Sequence, residues 1–157
     1  MMMFEKYNIK EKIFLSILIL LRFFTGFVLL IASWDKILNP EMFAQVVDNY
    51  KILPDFLINI FAITLPWTEA ICGLFLIFGI WTKGASLLFN SFMVTFIMAL
   101  GSVLYRNLDI SCGCFTVSPE ADKEIIISLQ RDIFFLISGI FVFVLEYKKL
   151  KEQKDYR

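Results

Sequence analysis

The sequence contains no histidine among its 157 residues. This absence excludes His-ligated haem, zinc sites that use histidine, and a catalytic nucleophile activated by a histidine base. Cysteine is scarce as well, with three residues in the whole chain. Any thiol chemistry of the side chains must therefore rely on these three residues.

An excess of either charge is also missing. Lys and Arg number 15, Asp and Glu number 15, and the formal net charge at pH 7 is zero. Proteins that bind nucleic acid usually carry a basic surplus, so nucleic acid is not expected as a partner. Apolar residues, in contrast, are abundant: 59% of the chain is hydrophobic and the mean hydropathy is +0.73. This composition is typical of a protein whose solvent is the lipid bilayer.

Four stretches of the chain are long and apolar enough to cross a membrane, which takes about 20 residues in a helix. The sequence therefore predicts an all-α fold, an integral membrane four-helix bundle that forms one domain over residues 1–157. The predicted spans are residues 13–33, 57–81, 85–104 and 125–147, and residues 148–157 form a polar tail.

Lys and Arg are distributed unevenly between the two sides of these spans. Nine of them precede span one, lie between spans two and three or follow span four, whereas four lie in the other two loops. Because positive residues beside spans are retained on the cytoplasmic side, both termini are predicted to be cytoplasmic. The expected location is the bacterial inner membrane, with the loop that carries Cys112 on the periplasmic side.

The first outer loop contains a predicted amphipathic helix. Asn39, Pro40 and Glu41 are typical of the N-cap and first positions of a helix. The apolar residues that follow recur on one helix face; they are Met42, Phe43, Val46, Val47 and Tyr50. Such a helix would lie in the membrane interface, on the same side as Cys112. It is expected either to cover the cysteines as a lid or to be a packing element only.

Cys112 and Cys114, separated only by Gly113, form the most specific chemical pattern in the chain. Two cysteines on such a turn can reach disulfide distance, and glycine admits backbone angles that other residues resist. So small a ring is strained, and strained, exposed disulfides exchange readily. The pattern favours a redox-active pair in the periplasm. The alternatives are an inert loop or a metal-binding pair, for which the loop offers too few ligands.

Cys72 is predicted to be separate from this pair. It lies beyond the middle of span two when counted from the outer end, too deep to meet the loop cysteines at about 1.5 Å of rise per residue. Buried cysteines commonly behave as small hydrophobic residues, and that is the expected role here.

Charged residues also occur inside the predicted spans, where they are costly and usually mark function or a specific pairing. Arg22 lies near the centre of span one and Glu69 near the centre of span two. Because an unpaired charge at this depth would cost far more than a pair with its hydrogen bonds made, Arg22 and Glu69 are predicted to pair with each other.

A second group of charges is expected nearer the outer face. Arg131 and Asp132 are neighbours on a helix and point in different directions, so each is expected to find a partner elsewhere. Asp35, Lys36 and Arg106 are predicted to lie at comparable depth, and Arg106 would favour a thiolate in the loop that follows it. These residues form either a polar cluster beneath the cysteine loop or a set of interfacial anchors that snorkel to water.

Aromatic residues are frequent, with 18 phenylalanines and three tryptophans. Most are expected to face lipid or to form the aromatic belts at the two interfaces. A quinone headgroup could stack among such rings, but the aromatic residues alone do not distinguish a quinone site from ordinary packing. Quinone is therefore a candidate cofactor without assigned residues.

The chain resembles the MauE/DoxX-type redox-associated membrane proteins over nearly its full length. The segments that carry the resemblance are the Arg22 span, Trp34-Asp35-Lys36-Ile37 with Asn39-Pro40, Tyr50-Lys51-Ile52-Leu53-Pro54, Leu65-Pro66-Trp67 with Glu69, Gly73-Leu74, Cys112-Gly113-Cys114-Phe115, and Arg131-Asp132. The Cys-Gly-Cys-Phe sequence is similar to the loop of the MauE-like branch. In that pattern the phenylalanine is often followed by glycine, whereas in this chain it is followed by Thr116.

The resemblance implies a part in handling disulfides or reducing equivalents on the outer face, with a thioredoxin-like periplasmic protein as partner. The leading hypothesis is a membrane thiol–disulfide relay in which Cys112 and Cys114 exchange with such a partner and with a membrane carrier such as quinone. The alternative is an accessory subunit without turnover of its own, for a periplasmic dehydrogenase or a sulfur-oxidation system. A small-solute permease ranks lowest, because no inverted repeat or broken helix pair is evident.

Overall fold

The structure is a computed structural model, and it describes residues 9–106 and 125–155. These residues form helices and short connections, and no strand occurs within them. The helices are α1 (Ile9–Leu38), α2 (Pro40–Asn49), α3 (Asp55–Phe78), α4 (Thr82–Tyr105) and α5 (Ile125–Asp155). The all-α prediction is confirmed. Cys112 and Cys114 lie outside the described residues, as does the rest of their loop.

Four of these helices are long and apolar enough to span a membrane, which confirms the predicted four-span architecture. The spanning portions are Lys12–Leu38, Asp55–Phe78, Thr82–Tyr105 and Ile125–Lys149. Much of their surface is apolar and exposed, with aliphatic and aromatic side chains along every spanning helix. Such a surface is stable only against lipid. The chain is an integral membrane protein.

The bundle has two ends that differ in structure. One end, called here the α2 end, contains α2 itself, the last residues of α1 and α4, and the first residues of α3 and α5. The other end is the turn between α3 and α4 and is called the Gly79 end, because Gly79 terminates α3 with a φ of +73°. Glycine suits this left-handed position, and a side chain there would also meet the guanidinium of Arg22.

Helices α1 and α3 approach each other most closely where two glycines meet. A Cβ atom on Gly26 would lie 2.7 Å from the Gly73 carbonyl oxygen, and a Cβ on Gly73 would lie 2.7 Å from the Gly26 carbonyl oxygen. Small residues at a membrane helix interface let the backbones pack at short range. This contact sets the depth of α1 against α3, and therefore decides which charged residues of the two helices can meet.

The predicted amphipathic helix of the first loop is present as α2, with Asn39 at its N-cap and Pro40 in its first turn. The Asn39 side chain makes no cap hydrogen bond to α2, and its Nδ2 donates to Asp35 Oδ1 at 2.9 Å. The apolar face predicted for this helix packs onto the rest of the bundle. Phe43 and Val47 join a cluster with residues of α3, and Val46 and Tyr50 join a cluster at the end of α4. Partly buried residues of α5 complete the second cluster; they are Ile125 and Leu129.

Candidate functional site

Lys36 is the largest side chain that the described part of the chain buries completely, with an exposed fraction of 0%. It belongs to the last turn of α1, and its Nζ donates to both oxygens of Glu69 on α3, at 3.0 and 2.9 Å. Glu69 is buried to the same degree, with 1% exposed. A primary ammonium that meets both oxygens of a carboxylate forms a charge-assisted contact, which offsets part of the cost of removing both charges from water.

Two aromatic rings face the same ammonium group. Lys36 Nζ lies 5.2 Å from the centroid of the Phe43 ring on α2 and 4.9 Å from the centroid of the Phe96 ring on α4. The negative face of an aromatic ring attracts a cation within about 6 Å, and the attraction is stronger where water is absent. Phe43 and Phe96 therefore attract the ammonium group of Lys36 and also cover it.

Asp132 of α5 completes this group. It is 2% exposed and lines a cavity of about 10 Å³ together with Lys36 and Glu69. The remaining lining is apolar and consists of Val28, Leu29, Ala32, Met93 and Phe96. A space of this size holds at most about one water molecule. We call Lys36, Phe43, Glu69, Phe96 and Asp132 the lysine centre; each of the five described helices contributes one residue to it.

The prediction that Arg22 pairs with Glu69 is wrong. Arg22 Nη1 instead donates to Glu146 Oε1 on α5 at 3.1 Å, and its Nε donates to the Leu76 carbonyl oxygen at 3.1 Å. The reason is the depth of α1. The contact between Gly26 and Gly73 places Arg22 beside the last turns of α3, at the Gly79 end, so Glu69 lies level with a later part of α1.

The sequence does not predict the partners of Lys36 and Glu146. Lys36 falls outside the predicted span of residues 13–33 and is expected near Asp132, but not in an ion pair with Glu69, and Glu146 has no predicted partner. One sequence signal could have found both. Arg22 and Lys36 are separated on α1 by as many residues as Asp132 and Glu146 are on α5. When α1 and α5 run antiparallel, this equal spacing allows Arg22 to meet Glu146 at one depth in the bundle and Lys36 to approach Asp132 at another.

The other predicted polar residues have separate contacts. Arg106 Nη1 donates to the Tyr50 carbonyl oxygen at 2.9 Å and so ties the end of α4 to the end of α2. Asp35 accepts from Asn39, as described above. Of the five residues of the predicted cluster, Lys36 and Asp132 line one cavity, and Asp35 and Arg106 make hydrogen bonds near the ends of α1, α2 and α4.

Arg131 and Asp132 are closer to each other than predicted. Arg131 Nε lies 3.6 Å from Asp132 Oδ1, an ion-pair distance between helix neighbours that were expected to point apart. Asp132 also acts on Tyr50 outside the spans. Burial raises the pKa of the Tyr50 hydroxyl above its ordinary value, and the negative charge of Asp132 raises it further. Asp132 thus has electrostatic contact with Arg131, with α2 and with the cavity of the lysine centre.

Cys72 is buried, as predicted, within a cluster that includes Leu29, Leu76 and Phe89. Its Sγ donates to the Ala85 carbonyl oxygen at 3.0 Å, a contact that joins α3 to the first turn of α4. This environment suits the predicted structural role. Among residues 9–106 and 125–155, no group of three metal-ligating side chains is assembled.

Comparison with known proteins gives one consistent result. The family model described as "Methylamine utilisation protein MauE" matches residues 14–145 of the chain. Curated relatives named "Methylamine utilization protein MauE" are 31% identical over 96 residues in Paracoccus denitrificans and 34% identical over 92 residues in Methylophilus methylotrophus. These alignments cover 60% and 58% of this chain and 52% and 48% of the relatives.

A relative of the same name in Methylorubrum extorquens is 31% identical over 85 residues, which cover 54% of this chain and 46% of that protein. The chain thus spans about half the length of the curated relatives it matches. No solved structure matches it. Since the family model covers most of the chain, from within α1 to near the end of the last span, this integral membrane protein belongs to the MauE family.

Proposed function

We propose that this protein is a membrane thiol–disulfide relay whose reactive pair is Cys112 and Cys114. The exchange is balanced in itself: two thiols on one protein become a disulfide while the disulfide on the other becomes two thiols. The partner would be a thioredoxin-like protein on the outer face of the membrane. The relay would act as an accessory to methylamine utilisation, the process after which its relatives are named.

The observation that supports this proposal most is the construction of the α2 end. The segment with the two cysteines leaves α4 after Arg106 and returns at Ile125, so both of its roots are at this end. Arg106 holds the first root to α2, and Ile125 at the second packs beside Val46 and Tyr50 of α2. A reactive pair carried by this segment would be held at the α2 end, where a partner on that face of the membrane could meet it.

The proposed orientation places the α2 end in the periplasm of the bacterial inner membrane, with both termini in the cytoplasm. It is supported by the excess of Lys and Arg beside the opposite face of the bundle. Lys83, near the start of α4, is one of these residues, and its Nζ lies 5.6 Å from the centroid of the Tyr147 ring. An oxidising compartment is also where a cysteine pair can function as a disulfide.

A quinone is the proposed carrier for electrons that leave or enter the pair through the membrane; it would take up two electrons and two protons to become a quinol. The cavity of the lysine centre is too small for a quinone ring. The proposal therefore places quinone on the lipid-facing surface of the helices at the α2 end, where Trp34 and Phe56 are exposed.

Trapping of a mixed disulfide tests the relay. In a cell that carries the partner, Cys112→Ser or Cys114→Ser leaves a single loop thiol, and one of the two variants should accumulate a reductant-sensitive adduct with a periplasmic protein. The double variant keeps only the buried Cys72 and serves as the matched control. Absence of an adduct from both single variants, or an equal adduct in the double variant, would contradict the relay.

A non-catalytic accessory subunit is the second candidate, and the lysine centre favours it. Five helices that each contribute one residue to a buried centre form a scaffold that could hold another membrane or periplasmic subunit without turnover. This function predicts that the double variant Cys112→Ser and Cys114→Ser supports growth on methylamine as the wild type does, whereas Glu69→Gln does not. The relay predicts loss of growth in both.

A further inference from the structure

The ammonium group of Lys36 is surrounded as a bound ligand would be. Glu69 accepts two hydrogen bonds from it, Asp132 lines the same cavity, and two phenylalanine rings face it. These four surrounding residues come from four helices, none of which carries Lys36 itself. Lys36 enters from α1 as the fifth component, and the protein buries its whole side chain.

We infer that Phe43, Glu69, Phe96 and Asp132 form a binding site for a primary ammonium ion, which the chain fills with Lys36 as an internal ligand. The rings and carboxylates select a cation over a neutral molecule of the same shape. The approach of Nζ to both oxygens of Glu69 favours a primary ammonium over a bulkier one. With Lys36 in place, the remaining cavity of about 10 Å³ has no room for a second alkylammonium ion.

This inference gives a defined ligand for a truncated variant. The Lys36→Ala substitution removes Cγ, Cδ, Cε and Nζ, and these are the heavy atoms of n-propylammonium. The truncated protein should therefore bind n-propylammonium in the space that the side chain occupied, and binding to the folded state alone stabilises it by mass action. Methylammonium restores the charge without the apolar stem and should act more weakly.

The experiment measures thermal unfolding of purified Lys36→Ala protein in detergent at neutral pH, with increasing concentrations of n-propylammonium. We expect the melting temperature to rise with concentration and to saturate. n-Propanol, which lacks the charge, and tetramethylammonium, which lacks the shape, should leave the melting temperature unchanged. The wild type is the matched control and should respond to none of the three compounds.

A second measurement follows the position of α2, because Phe43 contributes one wall of the site. Lys51 is exposed directly after α2 and is a site for trypsin. In Lys36→Ala we expect faster cleavage at Lys51, since the helix loses its contact with the ammonium, and n-propylammonium should slow this cleavage again. Lys148, exposed on α5 away from the site, should be cleaved at the same rate in every sample.

Three results would overturn the inference. The first is a rise in the melting temperature of Lys36→Ala with n-propanol equal to that with n-propylammonium. The second is a saturating rise for the wild type, and the third is an undiminished rise after Glu69→Gln is added to Lys36→Ala.

If Lys36→Ala does not fold, Lys36→Met is the deciding variant, because methionine fills the space of the lysine methylene groups and lacks the charge. A Met variant as stable as the wild type would show that the site needs no ammonium. A strong loss of stability would support the site.

Discussion

Two buried ion pairs in the described part of the bundle, Lys36–Glu69 and Arg22–Glu146, differ in how they satisfy their charges. Lys36 and Glu69 have side chains that are 0% and 1% exposed, whereas Arg22 and Glu146 at the Gly79 end are 12% and 3% exposed. The lysine pair uses both carboxylate oxygens and two aromatic rings. The arginine pair uses one ion-pair hydrogen bond and one backbone carbonyl.

Depth explains the difference. Arg22 lies beside the last turns of α3, where helix carbonyl groups lack partners within the helix and attract a cation. Its donors are arranged in a planar fork, so it can serve Leu76 and Glu146 together. Lys36 reaches into the bundle from the last turn of α1, and its ammonium group donates to both oxygens of Glu69. Its compact charge therefore depends on carboxylates and rings from several helices.

The largest expected effect is at the deeper pair. Glu69→Gln leaves the ammonium of Lys36 buried without its charge partner, and removal of one partner of a buried pair costs about 3–5 kcal/mol. Glu146→Gln makes the same chemical change at the Gly79 end, where Arg22 keeps the Leu76 carbonyl as an acceptor and is less completely buried than Lys36. There we expect a loss of about 1–3 kcal/mol.

The free energy of unfolding of both variants, measured by denaturant titration in the same detergent, checks this order. Glu41→Gln on the exposed side of α2 is the control and should be near the wild type. Equal losses for Glu69→Gln and Glu146→Gln would mean that burial does not distinguish the two pairs.

A smaller effect is expected from the contact that lies between the two pairs on α1 and α3. Gly26→Ala brings a Cβ within 2.7 Å of the Gly73 carbonyl oxygen and 2.8 Å of Ile77 Cγ1, so the helices must separate. Overpacking of this kind costs about 1–3 kcal/mol. Gly101→Ala on α4 meets nothing within 4 Å and should be neutral or stabilising by about 0.5–1 kcal/mol.

The same unfolding titration compares the two glycine variants. Because the contact sets the register that serves both ion pairs, combining Gly26→Ala with Glu69→Gln should cost less than the two single losses added together. Strict additivity would show that the register of α1 and α3 is fixed elsewhere.

Hydropathy was sufficient to predict the spanning helices and α2, because a helix that crosses lipid needs a long apolar run and α2 has cap residues and an apolar face. The pairing of charges could not be predicted in the same way. The bounds of a predicted span give the approximate depth of a charged residue in the membrane. Which residue it pairs with depends on how far the two helices are shifted along each other. That shift is set here by Gly26 and Gly73, whose contact no local pattern of residues reveals.

Lys36 illustrates a second limit. A lysine two residues before the end of a helix, in a segment with an aspartate and an asparagine, is typical of an exposed position. Its burial results from α2, which packs over the end of α1 and supplies Phe43. The side chain is internal because of tertiary packing, so a reading of α1 alone places it in water.

The smallest expected effect concerns Tyr50, where the lysine centre reaches the α2 end. Burial, assisted by the charge of Asp132, raises the pKa of the Tyr50 hydroxyl above its ordinary value of 10.0. The folded state therefore holds this proton more tightly than the unfolded state. This contribution to stability is complete below pH 10 and is lost progressively as the pH rises above it.

Tyr50→Phe should make the loss of stability above pH 10 less steep, and Asp132→Asn should shift the ionisation of Tyr50 to lower pH, because it removes the second cause of the raised pKa. Tyrosinate absorbance in the folded protein follows the ionisation, and thermal unfolding across the same pH range follows stability. Glu41→Gln removes a carboxylate from the exposed side of α2 and should change neither curve. If Asp132→Asn leaves the ionisation of Tyr50 where it is, the electrostatic influence of the lysine centre ends within the bundle and does not extend to α2.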